Sequence, residues 1–91
     1  MATLHFNTDF GRETAAALAT ANSNIESELT SLKSRVSSLV GTEWQGQSAL
    51  QFQDEFTTWA NQLQSFAETL ITLQERLNTE IQNWEAIASQ F

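Results

Sequence analysis

The chain lacks several residue types, and each gap excludes a class of protein or of site. Its 91 residues contain no cysteine, so neither a disulfide framework nor a thiolate metal site can form. They contain no proline and three glycines, which leaves long stretches without a residue that ends a helix. Four basic residues stand against 11 acidic ones, and the net charge of −7 opposes binding to nucleic acid or to anionic lipid.

Groups that carry catalysis are equally scarce. The single histidine, His5, precedes the first helical pattern, so it offers neither a zinc-binding pair nor a base for a serine nucleophile. Glu26 and Glu28 diverge on a helix, and neither Gly41 nor Gly46 is followed by the lysine of a phosphate-binding loop. We therefore expect a protein that is not an enzyme and that holds no cofactor and no metal.

Segments that insert into or cross a membrane are also missing. No apolar run approaches the roughly 18 residues that span a bilayer. Residues 1–6 lack the basic region and apolar stretch of a cleavable secretory signal. We expect no stable membrane insertion and no nucleic-acid partner, and export would need another route.

What the chain does contain is one turn signal at its midpoint, residues 41–46, between two long helical arms. This pattern predicts a single domain over residues 1–91, with a helix at about 9–40, a turn at 41–46 and a helix at about 47–89. Thr8 or Asp9 is the expected N-cap of the first helix. Gly41 suits the position just after that helix, and Thr42 with Gln45 resembles a capping box for the second.

The first arm carries apolar residues at alternating intervals of four and three, as a helix does when it packs along another helix. Asn22 interrupts this series. Two interpretations stay open: Asn22 fixes register or partner choice, or it lies near the solvated end of a bundle. The residues of this arm that we expect in a hairpin or dimer interface are Leu18, Ile25, Leu29, Leu32 and Val36.

The second arm carries two apolar series with a spacing of seven, one of which is interrupted by Glu80, and a third column at Ala60, Ala67, Ile81 and Ala88. A two-helix seam needs two series, so we expect the third column to stay exposed until a second hairpin covers it. The expected fold is all-α, an antiparallel helical hairpin that dimerises into a four-helix bundle. The expected interface residues of this arm are Phe52, Phe56, Trp59, Leu63, Phe66, Leu70, Leu73, Leu77 and Trp84.

Trp44 lies inside the turn and admits two roles. Its indole supplies a large apolar area that would cover the end of the hairpin. An aromatic side chain on a turn is also a surface that another protein can recognise.

At these residues the chain resembles the WXG-100 family, the small early-secreted-antigen-like substrates of bacterial type VII secretion. Members often read Trp-x-Gly-x-x-Ala-x-x-Phe with a further tryptophan downstream. Here Trp44, Gly46, Ala49, Phe52 and Trp59 occupy those positions, and the resemblance covers essentially the whole chain.

The resemblance implies a hairpin that pairs with itself or with a paralogous hairpin and leaves the cytoplasm folded, without a cleaved signal. A secretion-system ATPase would be its export partner, and the secreted protein would act as an effector or as an adaptor for a larger substrate. Trp44 and Gly46 would contribute to a composite export signal beside the partner's C-terminal end.

The chain departs from the family in having no tyrosine, and the second half of that signal is a tyrosine followed four residues later by an acid. Three explanations are open: the partner carries it, this branch uses another signal, or the natural chain continues past Phe91. Two rival hypotheses share the same heptads. One is an intracellular coiled-coil adaptor or chaperone, and the other is a membrane-active protein, which the acidic surface opposes.

Overall fold

The structure, a computed structural model, describes residues 5–89 and consists of two long antiparallel helices. Helix α1 spans Thr8–Leu39 and helix α2 spans Gln47–Ala88, with 32 and 42 residues respectively. Together they form a rod of 69 × 22 × 17 Å. The expected all-α helical hairpin is thereby confirmed.

Helix α1 begins one residue earlier than its expected caps allow. The cap is Asn7, whose Oδ1 accepts a hydrogen bond from the backbone N–H of Phe10 at 3.1 Å. The prediction of Thr8 or Asp9 is therefore wrong. Asn and Asp are about equally good caps, so residue type does not decide between them. The N-cap is the residue whose backbone is extended, which is Asn7 at φ −79° and ψ 95°.

Glycine and alanine supply most of the buried residues in the seam between the helices. On α1 the buried residues are Gly11, Ala15 and Leu29, and on α2 they are Ala49, Ala60, Ala67 and Ile81. Small residues let two helix backbones approach closely, and the larger side chains then lie along the edges of the contact.

This seam corrects one expectation from the sequence. The column that we expected to stay exposed holds Ala60, Ala67 and Ile81, which are 2%, 0% and 3% exposed. Of its four members only Ala88 lies at the surface. Periodicity shows which columns are apolar, but side-chain size decides which column faces the other helix at short range.

The end of the hairpin opposite the turn is closed by aromatic packing. Phe6 lies edge-on to Trp84 with ring centroids 6.1 Å apart, above the backbone of Gly11. Arg12 donates hydrogen bonds to Glu85 and, at 3.3 Å, to Asp9. The hydrogen bond and the charge of Glu85 raise the pKa of Arg12 above its ordinary value.

Other N-terminal residues behave differently from Phe6. Leu4, Phe6 and Phe10 are apolar enough that the sequence predicts docking of all three on the helices. Phe6 docks, Phe10 is 66% exposed, and Leu4 lies outside the described residues.

Asn22 lies in the middle of α1, not near an end, so the interpretation that placed it in the solvated end of a bundle is wrong. Its Oδ1 is buried and has no hydrogen-bond partner within residues 5–89. A buried acceptor without a partner loses its hydration and gains nothing in return.

Candidate protein-interaction sites

The turn between the helices is held by backbone hydrogen bonds around Gly41. The carbonyl of Leu39 accepts from the N–H groups of Glu43 at 3.1 Å and Trp44 at 2.8 Å. The N–H of Gly41 donates to the carbonyl of Trp44 at 2.8 Å. Gly41 has φ +99°, the conformation expected of glycine just after a helix. These bonds fix Trp44 at the tip of the rod.

Gly46 is needed for its backbone conformation, not for space. It has φ 118° and ψ −177°, a region that glycine alone enters readily, and a Cβ built there would meet nothing within 4 Å. Gly46 is also the N-cap of α2, and no side chain caps that helix. The second glycine of the turn therefore sets the direction in which α2 leaves the tip.

The capping box expected at Thr42 and Gln45 is absent. The Gln45 side chain instead donates from Nε2 to the carbonyl of Gly41 at 2.9 Å and braces the turn from within. The box needs its cap three residues before its glutamine, at the start of the helix. Helix α2 starts at Gln47, so Thr42 lies too far upstream to cap it.

Trp44 packs on one side and faces solvent on the other. Its ring centroid lies 5.6 Å from that of Phe52, and the residue is 36% exposed. Beside it a depression of about 150 Å³ is lined by Ala49 and Leu50. Ala49 is 1% exposed beneath this turn, whereas Leu50 is 53% exposed. The two roles considered for Trp44, covering the tip and offering a contact, are compatible with this geometry.

A second candidate site is a row of large exposed side chains along α2. Phe52, Trp59, Phe66, Leu73 and Ile87 are each between 37% and 57% exposed and recur with a spacing of seven. The missing member of this row is Glu80, whose carboxylate pairs with Arg76 at 3.3 Å. A row of this length exceeds the scattered apolar residues of an ordinary monomer surface.

Leucine and isoleucine residues of α1 continue this row into one apolar face. A groove on the other side of the hairpin is lined by Lys33 and Ser37 of α1 and by Thr57 and Asn61 of α2. Residues that point away from this groove on either helix therefore lie together on the other side of the hairpin. We call that side the apolar face; it consists of Leu18, Ile25, Leu32 and Leu39 of α1 and Phe52, Trp59, Phe66, Leu73 and Ile87 of α2.

The residues predicted for the interface divide into three groups by exposure. Leu29 is buried in the hairpin seam. The half-buried group lies along the edges of the seam, where Leu18 and Ile25 also belong to the apolar face: Leu18, Ile25, Val36, Phe56, Leu63, Leu70, Leu77 and Trp84. The exposed group lies on the apolar face: Leu32, Phe52, Trp59, Phe66 and Leu73. Sequence periodicity merged these groups because it cannot separate the seam of a hairpin from a face that awaits a second layer.

Sequence reasoning predicted that Phe6 docks on the helices but not that it packs over Gly11. A built Cβ at Gly11 would lie 2.9 Å from Phe6 and 3.2 Å from Ile81 Cδ1. A glycine in the first turns of an otherwise alanine-rich helix is the signal that could have identified this close approach. Leu50 was also missed because it belongs to neither heptad series.

Neither a metal-binding group nor a membrane span is found in the described part of the chain. Residues 5–89 contain no cluster of three or more His, Asp or Glu side chains placed to hold an ion. Neither α1 nor α2 has a stretch that is long and apolar enough to cross a bilayer.

Comparison with known sequences connects these features to one family. Searches of curated proteins and of solved structures find no match. The sequence model of the WXG100 family, described as proteins of 100 residues with WXG, matches residues 8–86. The match covers both helices almost completely and has Trp44 and Gly46 at its centre, so the chain belongs to the WXG100 family.

Proposed function

We propose that the protein is a non-enzymatic component of type VII secretion that is exported as a folded pair of hairpins. Membership of the WXG100 family carries this proposal. After export the protein acts as an effector or as an adaptor for a larger substrate. The partner hairpin is a second copy or a paralogue, and a secretion-system ATPase is the machine that receives the pair.

The recognition element in this proposal is Trp44, presented by Gly41 and Gly46. Three backbone hydrogen bonds around Leu39 and Gly41 fix the turn, and the contact with Phe52 holds one face of the indole. The other face is open to solvent, beside an apolar depression. A rigid, half-exposed aromatic residue is a type of side chain on which protein interfaces often depend.

Replacing Trp44 with Ala is expected to reduce export while leaving the hairpin helical. Loss of an aromatic anchor worth about 1.4 kcal/mol would lower export roughly tenfold. The measurement compares the protein in culture medium and in cells of the native host, alongside circular dichroism of the purified variant. Phe10→Ala is the matched control, since Phe10 is an exposed aromatic residue far from the turn.

Two outcomes would contradict the proposal. Unchanged export of Trp44→Ala would show that the turn is not the recognition element. Retention of the wild-type protein in the cytoplasm of a host with an active secretion system would favour the alternative, an intracellular coiled-coil adaptor or chaperone. The apolar face serves that alternative equally well, so localisation decides between them.

A further inference from the structure

The groove on the side of the hairpin away from the apolar face, here called the Lys33 groove, has the composition of a binding site. Its volume is about 230 Å³. Its floor is apolar and consists of Val36 of α1 with Phe56 and Ala60 of α2. Pockets that enclose a whole small-molecule ligand measure about 300–1,000 Å³. The Lys33 groove is therefore large enough for one large side chain of a partner, but not for a complete ligand of that size.

The rim of the groove carries groups that donate and groups that accept hydrogen bonds. They are the side-chain amides of Gln53 and Asn61 and the hydroxyl groups of Ser37 and Thr57. An amide side chain can bond to both the N–H and the C=O groups of a second chain. The Thr57 hydroxyl donates to the carbonyl of Gln53 at 2.9 Å, which leaves its oxygen able to accept. The rim can thus hold polar groups that border an inserted apolar side chain.

The charge of the groove differs from that of the chain as a whole. The chain has 11 acidic and four basic residues, yet the residues that line this groove include Lys33 and no acid. An acid three or four positions away along a helix is the usual partner of a lysine. Those positions around Lys33 hold uncharged residues, namely Leu29, Thr30, Val36 and Ser37.

Lys33 also differs from the other basic residues of the chain. Arg12 and Arg76 each form an ion pair with an acid of their own chain. Arg35 lines a separate depression, which also contains Glu43. Lys33 has no ion pair within residues 5–89 and no acid in its groove. A carboxylate from another molecule is therefore the group that complements it.

Exposed acidic side chains lie beyond the groove in both directions along the rod. On α2, Asp54 and Glu68 lie seven residues before and seven residues after Asn61 of the rim. On α1, Glu26 lies seven residues before Lys33. Residues seven apart share one side of a helix and are separated by about 10.5 Å. This side of the hairpin therefore presents one positive position between two negative ones.

We propose that the Lys33 groove binds an amphipathic helix of another protein. The helix inserts one large apolar side chain between α1 and α2 and places a carboxylate beside Lys33. Basic residues about seven positions to either side of that carboxylate meet the flanking acids, because seven residues again span about 10.5 Å. A third helix is the shape that fits between two packed helices, and an apolar anchor in a groove is a common way in which helices are recognised.

A second copy of this chain does not have the required pattern of charges. None of its acids has a basic residue seven positions before it and another seven positions after it. The groove and the apolar face also lie on opposite sides of the hairpin, so the bound helix does not compete with a hairpin on the apolar face. The inference goes beyond the proposed function and holds whether or not the protein is exported.

A designed helical peptide tests the proposal directly. The peptide is alanine-rich, roughly 20 residues long, with a central glutamate, a phenylalanine four positions before it and lysines seven positions to either side. Anisotropy of a fluorescein label on the peptide measures its affinity for the full chain. The designed peptide should bind at least about tenfold more tightly than a peptide in which the three charges are reversed.

A charge exchange locates the bound peptide at Lys33. Lys33→Glu should weaken binding of the designed peptide about tenfold, because it sets two carboxylates against each other. Replacing the central glutamate of the peptide with lysine should restore the affinity for this variant. Arg35→Glu is the matched control, since it makes the same change in net charge on the same helix outside the groove. It should change the affinity by less than about threefold.

A steric variant tests the insertion of the apolar side chain. Ser37→Phe places a bulky ring at the rim and should abolish binding, because the ring occupies the space that the phenylalanine of the peptide needs. Ser34→Phe, at an exposed position outside the groove, should bind like the wild type. Circular dichroism checks that both variants are as helical as the wild type.

The alternative outcomes each overturn the proposal in a recognisable way. Absence of binding by the designed peptide, or equal binding of the charge-reversed peptide, would show that the groove does not recognise this pattern. Binding that is lost in Phe66→Glu but kept in Ser37→Phe would place the peptide on the apolar face. If decanoate displaced the peptide and the lysines of the peptide made no difference, the occupant would be a small amphiphilic carboxylate and not a helix.

Discussion

At the scale of single residues, backbone geometry explains the two glycines of the turn, whereas one asparagine lies where an apolar residue would be more stable. Gly41 and Gly46 have positive φ, at +99° and +118°, and open space around them. The glycine of the Trp-x-Gly motif is thus explained by backbone geometry. Asn22 is the contrasting case, because its buried Oδ1 has no partner within the described residues and the sequence alone could not show this.

Asn22→Leu is expected to stabilise the chain. Leucine removes an unpaired buried acceptor, which costs about 1–3 kcal/mol, and replaces it with a side chain of similar size. We expect the free energy of unfolding in urea to rise by roughly 1–2 kcal/mol. Asn24→Leu, at an exposed position, should change it by less than about 0.5 kcal/mol. A loss of stability in Asn22→Leu would show that the asparagine amide is satisfied in solution.

At the scale of helices and turns, the contacts at the end of the hairpin opposite the turn show why part of the fold could not be predicted from the sequence. The helices and the turn follow from periodicity and from the placement of the glycines. Periodicity does not show which apolar column faces the seam, because Ala67 and Phe66 are both apolar and differ only in size. The packing of Phe6 against Trp84 is a long-range contact of a short segment, which has no periodic signal.

The close contact between Phe6 and Gly11 predicts that substitutions at these two positions have non-additive effects on stability. Alanine is favoured over glycine in a helix by about 1 kcal/mol, but its Cβ would push against the Phe6 ring. We expect Gly11→Ala to raise the unfolding free energy by roughly 1 kcal/mol in a Phe6→Ala background and by clearly less in the wild type. Urea unfolding of the four proteins of this cycle measures the difference. If Gly11→Ala changed the unfolding free energy equally in both backgrounds, the Phe6 ring would not lie against Gly11.

The candidate interaction sites were partly visible from sequence for a similar reason. The Trp44 motif is local, and its residues lie where the motif placed them, at the tip. The exposed row was visible as a heptad series, but its position outside the hairpin emerged only from the structure. Three apolar columns cannot all face one helix, and the sequence does not rank them.

At the scale of the whole molecule, the chain is far from compact. Its radius of gyration is 20.5 Å, against about 12 Å for a globular domain of 91 residues. The buried interior consists of a few residues, most of them glycine and alanine, whereas Phe52, Trp59 and Phe66 lie exposed on the apolar face. Stability of one hairpin and pairing of two hairpins are therefore expected to be coupled.

This coupling should make thermal stability depend on protein concentration. A pair that dissociates on unfolding gains about 3–5 °C in Tm for each tenfold increase in concentration. Phe66→Glu places a charge in the centre of the apolar face and should abolish the dependence, while Thr72→Glu should preserve it. Circular dichroism melts over a hundredfold range provide the measurement. A wild-type Tm that does not move would contradict coupling to association.

The narrow cross-section of the rod has a consequence for transport. The hairpin measures 22 × 17 Å across its long axis, and a second layer of helices adds about 10 Å to the thinner dimension. A folded pair could then pass lengthwise through an opening much narrower than its 69 Å length. Passage in that orientation requires one end to enter first. Only one end of the hairpin carries the Trp44 turn, so the direction of entry decides whether this turn leads or trails.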